Sequence, residues 1–316
     1  MYAVYIMSNI LIIKLGSLGD LIQANGAIKD IKSNFPNDKV LLLTSESYTL
    51  FMSSCPYIDG VITDKRLPRW NIFYLSKLKR LLESYNFTHV FDLQNSARTY
   101  FYRKFILRKP KWSSTEEALD SGQNKKDFDQ EGVLSRMEIQ LKKTGVETKY
   151  LKSIDLSWAN SDISKLIKKY TNDEFILIFP FCSKKHSNKK WPHYKELVKK
   201  IKQIYKNKYS ILVAPGPGEV EEALQLNSKV VLKEDKPIDI ATLISLIYQA
   251  RFIISNDTGP AHICSHLNKD GVVLFGSHTT PDKVSIGNSN FKVLKAGDLQ
   301  KLTVDTVMNK LQKRLN

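Results

Sequence analysis

Phe252-Ile-Ile-Ser-Asn-Asp-Thr-Gly-Pro-Ala-His-Ile-Cys-Ser-His-Leu-Asn-Lys-Asp-Gly-Val-Val-Leu-Phe-Gly276 is the stretch on which the fold turns. An apolar run, Phe252 to Ile254, ends in polar residues; Ala261 to Leu267 is apolar at helical spacing; Val272 to Phe275 is a second apolar run closed by Gly276. That is strand, turn, helix, strand. Asp257 or Thr258 suits the N-cap, and Pro260 suits the first helical turn, where its missing N–H costs nothing. Free N–H groups expected at Gly259 and Ala261, together with the positive end of the helix dipole, would make a seat for a phosphate. Capping alone also accounts for these residue types, so the phosphate reading needs partners elsewhere in the chain.

The same pattern extends outward on both sides. Towards the N-terminus of this half, Phe175 to Phe179, Ile211 to Ala214 and Lys229 to Leu232 read as strands, and Tyr194 to Tyr205, Glu219 to Leu226 and Ile240 to Ala250 as helices. Pro215-Gly-Pro-Gly218 interrupts any regular element. Val304 to Leu315 reads as a closing helix. In the first half, Asn9 to Lys14 is a short continuous apolar run, as in a buried parallel strand. It leads through Leu15-Gly-Ser-Leu-Gly-Asp20 into a helix that stops before Pro36. Val40 to Leu43, Gly60 to Ile62 and His89 to Leu93 are further strands; Ile72 to Tyr85 and Gly132 to Thr144 are helical. The polar segment Lys111 to Gln130 reads as a mobile surface loop, and Gly145 to Ser161 as a connector.

Alternating strands and helices imply an α/β fold with parallel sheets and ligand sites at the carboxyl ends of the strands. Two Rossmann-like domains facing a central cleft are expected, at 1–157 and 158–316. The last helix is expected to pack back on the first domain.

A length of 316 residues with 42% apolar content suffices for two cores. Cys55, Cys182 and Cys264 are far apart and form no C-x-x-C pair, which argues against a disulfide framework or a zinc site and for a reducing compartment. No segment reaches the roughly 18 apolar residues of a membrane span. Met1 to Ile13 lacks the basic lead and cleavage site of a signal peptide, and Met7 is an alternative start. The net charge of +16 points to polyanionic partners without choosing among them.

Two loops carry further chemistry. Gly16-Ser-Leu-Gly-Asp20 lacks the glycine two positions earlier that a dinucleotide fingerprint requires, although Glu46 stands where a ribose-binding acid would, and no Gly-Lys-Ser/Thr makes it a Walker loop. It offers close backbone approach at Gly16 and Gly19 and a carboxylate, Asp20, that is either a helix-start charge or a catalytic group. Ser183-Lys-Lys-His-Ser-Asn-Lys-Lys-Trp191-Pro192 is a cationic loop after a strand, in which a lysine can neutralise a pyrophosphate.

Leu11-Ile-Ile-Lys-Leu-Gly-Ser-Leu-Gly-Asp20, Phe91-Asp-Leu-Gln94, Lys189-Lys-Trp-Pro192 and Ser255-Asn-Asp-Thr-Gly-Pro-Ala-His262 with Leu274-Phe-Gly276 together resemble glycosyltransferase family 9, the bacterial ADP-heptose:lipopolysaccharide heptosyltransferases. The motifs run in the family's order from about residue 8 to 285. The resemblance implies a GT-B architecture and an inverting, metal-independent glycosyltransferase without cofactor. It further implies transfer of a heptose or related sugar from an ADP-sugar donor to a hydroxyl of a lipopolysaccharide core or similar anionic glycan.

Asp20 falls on the family's general base. Lys189 falls on the lysine that contacts the donor phosphate, and Thr258 and Gly259 on the donor-diphosphate turn. Asp257 and His262 fall beside the donor sugar and phosphate. Ser17, Gly19 and Glu219 are further donor-site candidates, and Arg98 and Arg136 are acceptor candidates. A cationic seat opposing the leaving charge fits metal independence. The base belongs to the first domain and the seat to the second, so closure is expected to complete the site.

The chain departs from the family at Phe181-Cys182, at Asn268-Lys-Asp270 and after Pro281, all around the donor; these motifs do not specify the sugar. An NAD-dependent oxidoreductase and a non-catalytic polyanion-binding protein are the alternatives. Nucleic-acid binding has no motif behind it. The expected location is cytoplasmic, with the basic surface meeting phosphorylated lipopolysaccharide or the anionic inner leaflet, without insertion.

Overall fold

β1 (Asn9–Ile13) lies at the middle of a parallel sheet and is buried along most of its length, as its unbroken apolar run requires. The computed structural model describes residues 8–206 and 208–315, without the side chains of Lys184 and Lys185; Met7 lies outside the described residues. The chain divides into one unit ending at Trp158 and a second beginning at Ala159.

In the first unit the helix α1 (Leu18–Asn34) follows β1, and β2 (Lys39–Ser45), α2 (Glu46–Met52), β3 (Gly60–Asp64) and α3 (Ile72–Ser84) come next. Then come β4 (Phe87–Asp92), α4 (Ala97–Phe101) running into a π-helical turn at Tyr102–Ile106, and β5 (Lys111–Ser113). Three helices close the unit: α5 (Thr115–Ala118), α6 (Lys125–Phe128) and α7 (Val133–Lys143). The strand order is β3-β2-β1-β4-β5, all parallel. Leu11, Ile13, Leu41, Leu43 and Val90 of the sheet pack with Leu78 and Leu82 of α3 and with Tyr102 and Ile106.

Lys111 to Gln130 is not an irregular loop throughout. It supplies the edge strand β5 and the short helices α5 and α6, and it buries Ser113, Ser114, Thr115, Ala118 and Phe128. A side chain from outside the segment helps to order it: the Thr115 N–H donates to Asn95 Oδ1 at 2.7 Å. The connector is equally well held. Asp30 Oδ1 on α1 accepts the N–H groups of Lys149 and Tyr150, each at 2.8 Å. Beside them, a Cβ at Gly26 would lie 2.4 Å from the Tyr150 carbonyl oxygen, so only glycine admits that approach.

The second unit opens with α8 (Ser164–Lys168), β6 (Phe175–Phe179), α9 (Tyr194–Tyr205), β7 (Ser210–Val213), α10 (Val220–Leu224) and β8 (Lys229–Val230). A small antiparallel pair, β9 (Leu232–Lys233) and β10 (Lys236–Pro237), precedes α11 (Ile240–Gln249). The deciding stretch then forms β11 (Phe252–Asn256), α12 (Gly259–His266) and β12 (Gly271–Phe275), followed by β13 (Phe291–Lys295) and α13 (Val304–Leu315). The sheet order is β13-β12-β11-β6-β7-β8, again parallel. The apolar face of α13, with Val307, Met308 and Leu311, is buried in this unit's own core beside α9.

In both sheets the strand order reverses at one place, between β1 and β4 and between β6 and β11. Crevices at the carboxyl ends of such neighbouring strands are where doubly wound sheets bind ligands.

Candidate active site

At the reversal in the second unit, β11 ends in Asn256, which is fully buried. Its Nδ2 donates to the Pro180 carbonyl at 2.8 Å, and its Oδ1 accepts from the Trp191 N–H and the Tyr194 hydroxyl, each at 3.3 Å. One amide thereby joins the end of β6, the start of α9 and the end of β11. Trp191 is itself anchored, its Nε1 donating to the Leu302 carbonyl at 2.8 Å. Lys189 lies two residues before Trp191, at the end of a 3-10 stretch, Lys184–Lys189, broken at His186.

That anchorage brings Lys189 Nζ to 2.7 Å from Asp257 Oδ2. His278, in the loop after β12, places Nε2 at 2.8 Å from the same oxygen, and its ring stacks on Phe275 with centroids 5.8 Å apart. Asp257 is 2% exposed. Burial pushes its pKa up, but the hydrogen bonds from Lys189 and His278 and the adjacent charge outweigh this, and the pKa falls below the ordinary carboxylate value. The result is a buried anion clamped by two donors, the three side chains lying on three different loops.

Thr258 caps α12 without a side-chain capping bond; its hydroxyl makes only a 3.4 Å contact with the Asn256 carbonyl. The Ala261 N–H is not free as expected, because it donates to the Thr258 carbonyl at 3.0 Å. His262 lies on the same helix, buried, with its charge felt by Asp257. Glu219 sits on a separate turn after β7. Its Oε2 accepts the Gly216 N–H at 2.7 Å, closing the Pro-Gly-Pro-Gly turn, and burial raises its pKa against that hydrogen bond.

At the reversal in the first unit, Gly16 has φ +118°, and a Cβ there would fall 2.5 Å from Tyr48 Cε2. Both constraints demand glycine at this turn. Asp20 lies in the first turn of α1, and its Oδ2 accepts from the Ser17 N–H at 2.8 Å and the Ser17 hydroxyl at 3.0 Å, a capping box with Ser17 as N-cap. Gly19 is buried in that first turn. Beneath it, buried Lys14 donates to the Leu93 carbonyl at 2.8 Å, and the Leu15 N–H donates to Gln94 Oε1 at 2.9 Å, tying the turns after β1 and β4 together. Burial lowers the pKa of Lys14 and raises that of Asp92 to about 6, the latter against hydrogen bonds from Thr99 and the N–H groups of Asn95 and Gln94.

The two candidate arginines are engaged. Arg98 donates through Nη1 to the Tyr102 hydroxyl at 2.8 Å and through Nη2 to the carbonyls of Leu67 at 2.8 Å and Arg66 at 3.1 Å. Arg136 pairs with Asp129 at 2.9 Å, and its Nε is buried with no partner among the described residues. Glu46 begins α2.

The structure thus gathers Lys189, Asp257, Thr258 and His262 in one place and Ser17, Gly19 and Asp20 in another. His278 was missed in the sequence. Its only signal was its place in the loop after the strand that neighbours β11. Among the described residues, no group of three or more His, Cys, Asp or Glu side chains is placed to hold a metal ion.

The family model described as "Glycosyltransferase family 9 (heptosyltransferase)" matches residues 75–311. The chain is 24% identical to lipopolysaccharide heptosyltransferase 1 of Campylobacter coli, covering 91% of this chain and 89% of that protein. Its fold is similar to that of the E. coli heptosyltransferase WaaC solved with ADP, with a TM-score of 0.73 and 18% identity over 97% of this chain and 99% of WaaC. E. coli ADP-heptose lps heptosyltransferase II gives a TM-score of 0.74 and 17% identity, over 97% of this chain and 98% of that one. A family match of this length sets aside both the NAD-dependent oxidoreductase and the non-catalytic polyanion binder. The chain belongs to glycosyltransferase family 9, the heptosyltransferases, and is an enzyme with two parallel-sheet, Rossmann-like units.

Proposed function

We propose that this enzyme moves a heptose or related sugar from an ADP-sugar to a hydroxyl of a lipopolysaccharide core or similar anionic glycan, with inversion and without a metal. The observation that carries the proposal is the Lys189–Asp257–His278 cluster at the sheet reversal of the second unit, directly before the N-terminus of α12. A donor diphosphate seated there meets the Lys189 ammonium, the Thr258 hydroxyl and the positive end of the helix. The second unit is accordingly the donor half, with Glu219 available to a ribose hydroxyl and His262 beside the phosphates. The first unit is the acceptor half, with Arg98 and Arg136 near anionic groups of the acceptor. Ser17 and Gly19, at the start of α1, are further donor-site candidates.

In the reaction, the Asp20 carboxylate takes the proton of the acceptor hydroxyl as its oxygen attacks the anomeric carbon. The bond from that carbon to the diphosphate oxygen breaks, and the electron pair leaves with ADP. Attack opposite the leaving group inverts the configuration. Lys189 and the α12 N-terminus stabilise the charge that develops on the leaving oxygen, a role worth roughly 10²–10³-fold in rate for one preorganised donor. A lysine and a helix end supply the positive charge that a divalent ion otherwise provides. With a glycolipid acceptor, the enzyme works in the cytoplasm as a peripheral protein at the inner leaflet.

A thermal-shift panel of nucleotides tests the donor assignment. ADP and ADP-heptose are expected to raise the melting temperature above UDP and GDP; no preference for adenine nucleotides overturns it. Turnover in excess chelator and the anomeric configuration of the product, read by NMR, test the other two terms.

A further inference from the structure

The loop after β3 and the start of α3 expose their largest apolar side chains instead of burying them. Trp70 is 80% exposed, Ile72 68% and Phe73 84%. The inner face of α3 uses Leu78 and Leu82, so these three are surplus to the core. They are not on a loose loop. Two bonds from Arg98 hold the carbonyls of Arg66 and Leu67, and Asn71 caps α3 by accepting the Tyr74 N–H at 3.0 Å. Arg69 packs over the Phe101 ring at 5.6 Å, and Phe101 meets Phe105 at 4.9 Å between centroids; Phe105 is itself 58% exposed. The patch therefore continues onto the π-helical turn, beside a recess lined by Arg103, Lys104, Phe105, Arg108, Pro110 and Trp112.

The charge around it is predominantly positive, although Arg103 is paired with Glu116 and Glu117. Lys65 to Leu82 contains six lysines and arginines and no acid, and Leu93 to Ser114 contains another six and no acid. Exposed Trp, Phe and Ile ringed by cations is the composition that seats a protein at a lipid interface. A second copy of the chain would bring the same positive field against itself. Ile72 cannot stack on a base, which disfavours nucleic acid. A preformed, rigid patch also avoids the ordering cost of docking.

We infer that this face of the first unit docks on an anionic phospholipid leaflet, with Trp70, Ile72 and Phe73 inserted among the acyl chains and the surrounding lysines and arginines on the headgroup phosphates. This deepens the transferase reading, on which it rests for the bilayer as workplace, and it replaces surface contact without insertion by shallow insertion.

The test is co-sedimentation of the full chain with phosphatidylcholine vesicles with or without phosphatidylglycerol. Binding is expected on the phosphatidylglycerol vesicles and to be weak on phosphatidylcholine alone. Trp70→Ala with Phe73→Ala should cut the partition constant by about 100-fold, roughly tenfold per buried aromatic. Lys104→Gln with Arg108→Gln should cut it by about tenfold or more on the anionic vesicles only. The native chain is expected to show a blue shift of tryptophan emission with vesicles, and Trp70→Phe should bind but lose it. Unchanged binding by the aromatic pair overturns the inference. So does a dimer that this pair of substitutions dissolves, or binding of the face to nucleic acid but not to vesicles. ADP titration of the same samples reads the transferase proposal separately: ADP binding without vesicle binding sinks only the docking face, and vesicle binding without ADP binding sinks only the donor site.

Discussion

Lys189 Nζ lies 2.7 Å from Asp257 Oδ2, closing a contact across 68 positions of the chain between the two loops at the reversal of the second sheet. The pair sets what a donor must do on arrival: the diphosphate has to share or take over an ammonium already held by a buried carboxylate. Lys189→Ala is therefore expected to weaken ADP binding by ~1.5–3 kcal/mol, the scale of a charge-assisted hydrogen bond. Titration calorimetry measures this, and an unchanged affinity removes Lys189 from the donor site.

His278 shares that carboxylate. Removing it leaves buried Asp257 with one donor fewer, a loss on the order of 1–3 kcal/mol of stability. The direction with pH follows from the lowered pKa of Asp257. Its ionised form contributes stability above the ordinary carboxylate pKa, and that contribution is lost as pH falls through the folded value. In His278→Ala the acid loss should begin at a higher pH than in the native chain. Melting temperatures across the acid range test this, and superimposable acid limbs would refute it.

Asp20 does two things in the reading developed above, and two substitutions separate them. Asp20→Ala removes both the proposed base and the partner of Ser17, so it should lower turnover by ~10²–10⁴-fold and stability by roughly 1 kcal/mol. Asp20→Asn keeps an oxygen to accept from Ser17 and should lose the turnover while holding most of the stability. ADP affinity should survive in both. An Asp20→Asn enzyme that still turns over would leave Asp20 as a capping residue only.

Asp92 is a buried carboxyl whose pKa burial raises to about 6. The folded state then holds a proton that the unfolded chain releases near pH 4, so stability falls as pH rises from about 4 to about 6 and stays lower above it. Asp92→Asn keeps an acceptor for the N–H groups of Gln94 and Asn95, which the native chain provides through Oδ1 at 3.0 and 2.9 Å. It should flatten that limb and stabilise the protein at neutral pH by an amount on the order of 1–3 kcal/mol. Urea titrations at pH 4 and pH 7 measure the change, and an equal effect at both would contradict the assignment.

Much of the fold could be read locally. Tyr194 to Tyr205, Phe175 to Phe179 and Phe252 to Ile254 carry their period in their own side chains and form the elements expected of them, the last running on to Asn256. The elements missed were those whose character depends on neighbours. β13, Phe-Lys-Val-Leu-Lys, mixes polar and apolar residues at a sheet edge, and β5 is three residues long. α5 and α6 make one turn each and gain their order from Asn95 and from buried Phe128.

The site divides in the same way. From sequence alone came two α/β halves, the glycine turn, the cationic loop and the Asn-Asp-Thr-Gly-Pro turn in their order, because strand and helix periods and backbone demands at glycine and proline are local. Tertiary structure decided which donors reach the Asp257 carboxylate, that Arg98 clamps a loop, and that Trp70 and Phe73 face outward. Those outcomes rest on distances between residues far apart in the chain and on which side of an element is already covered, and only packing sets either.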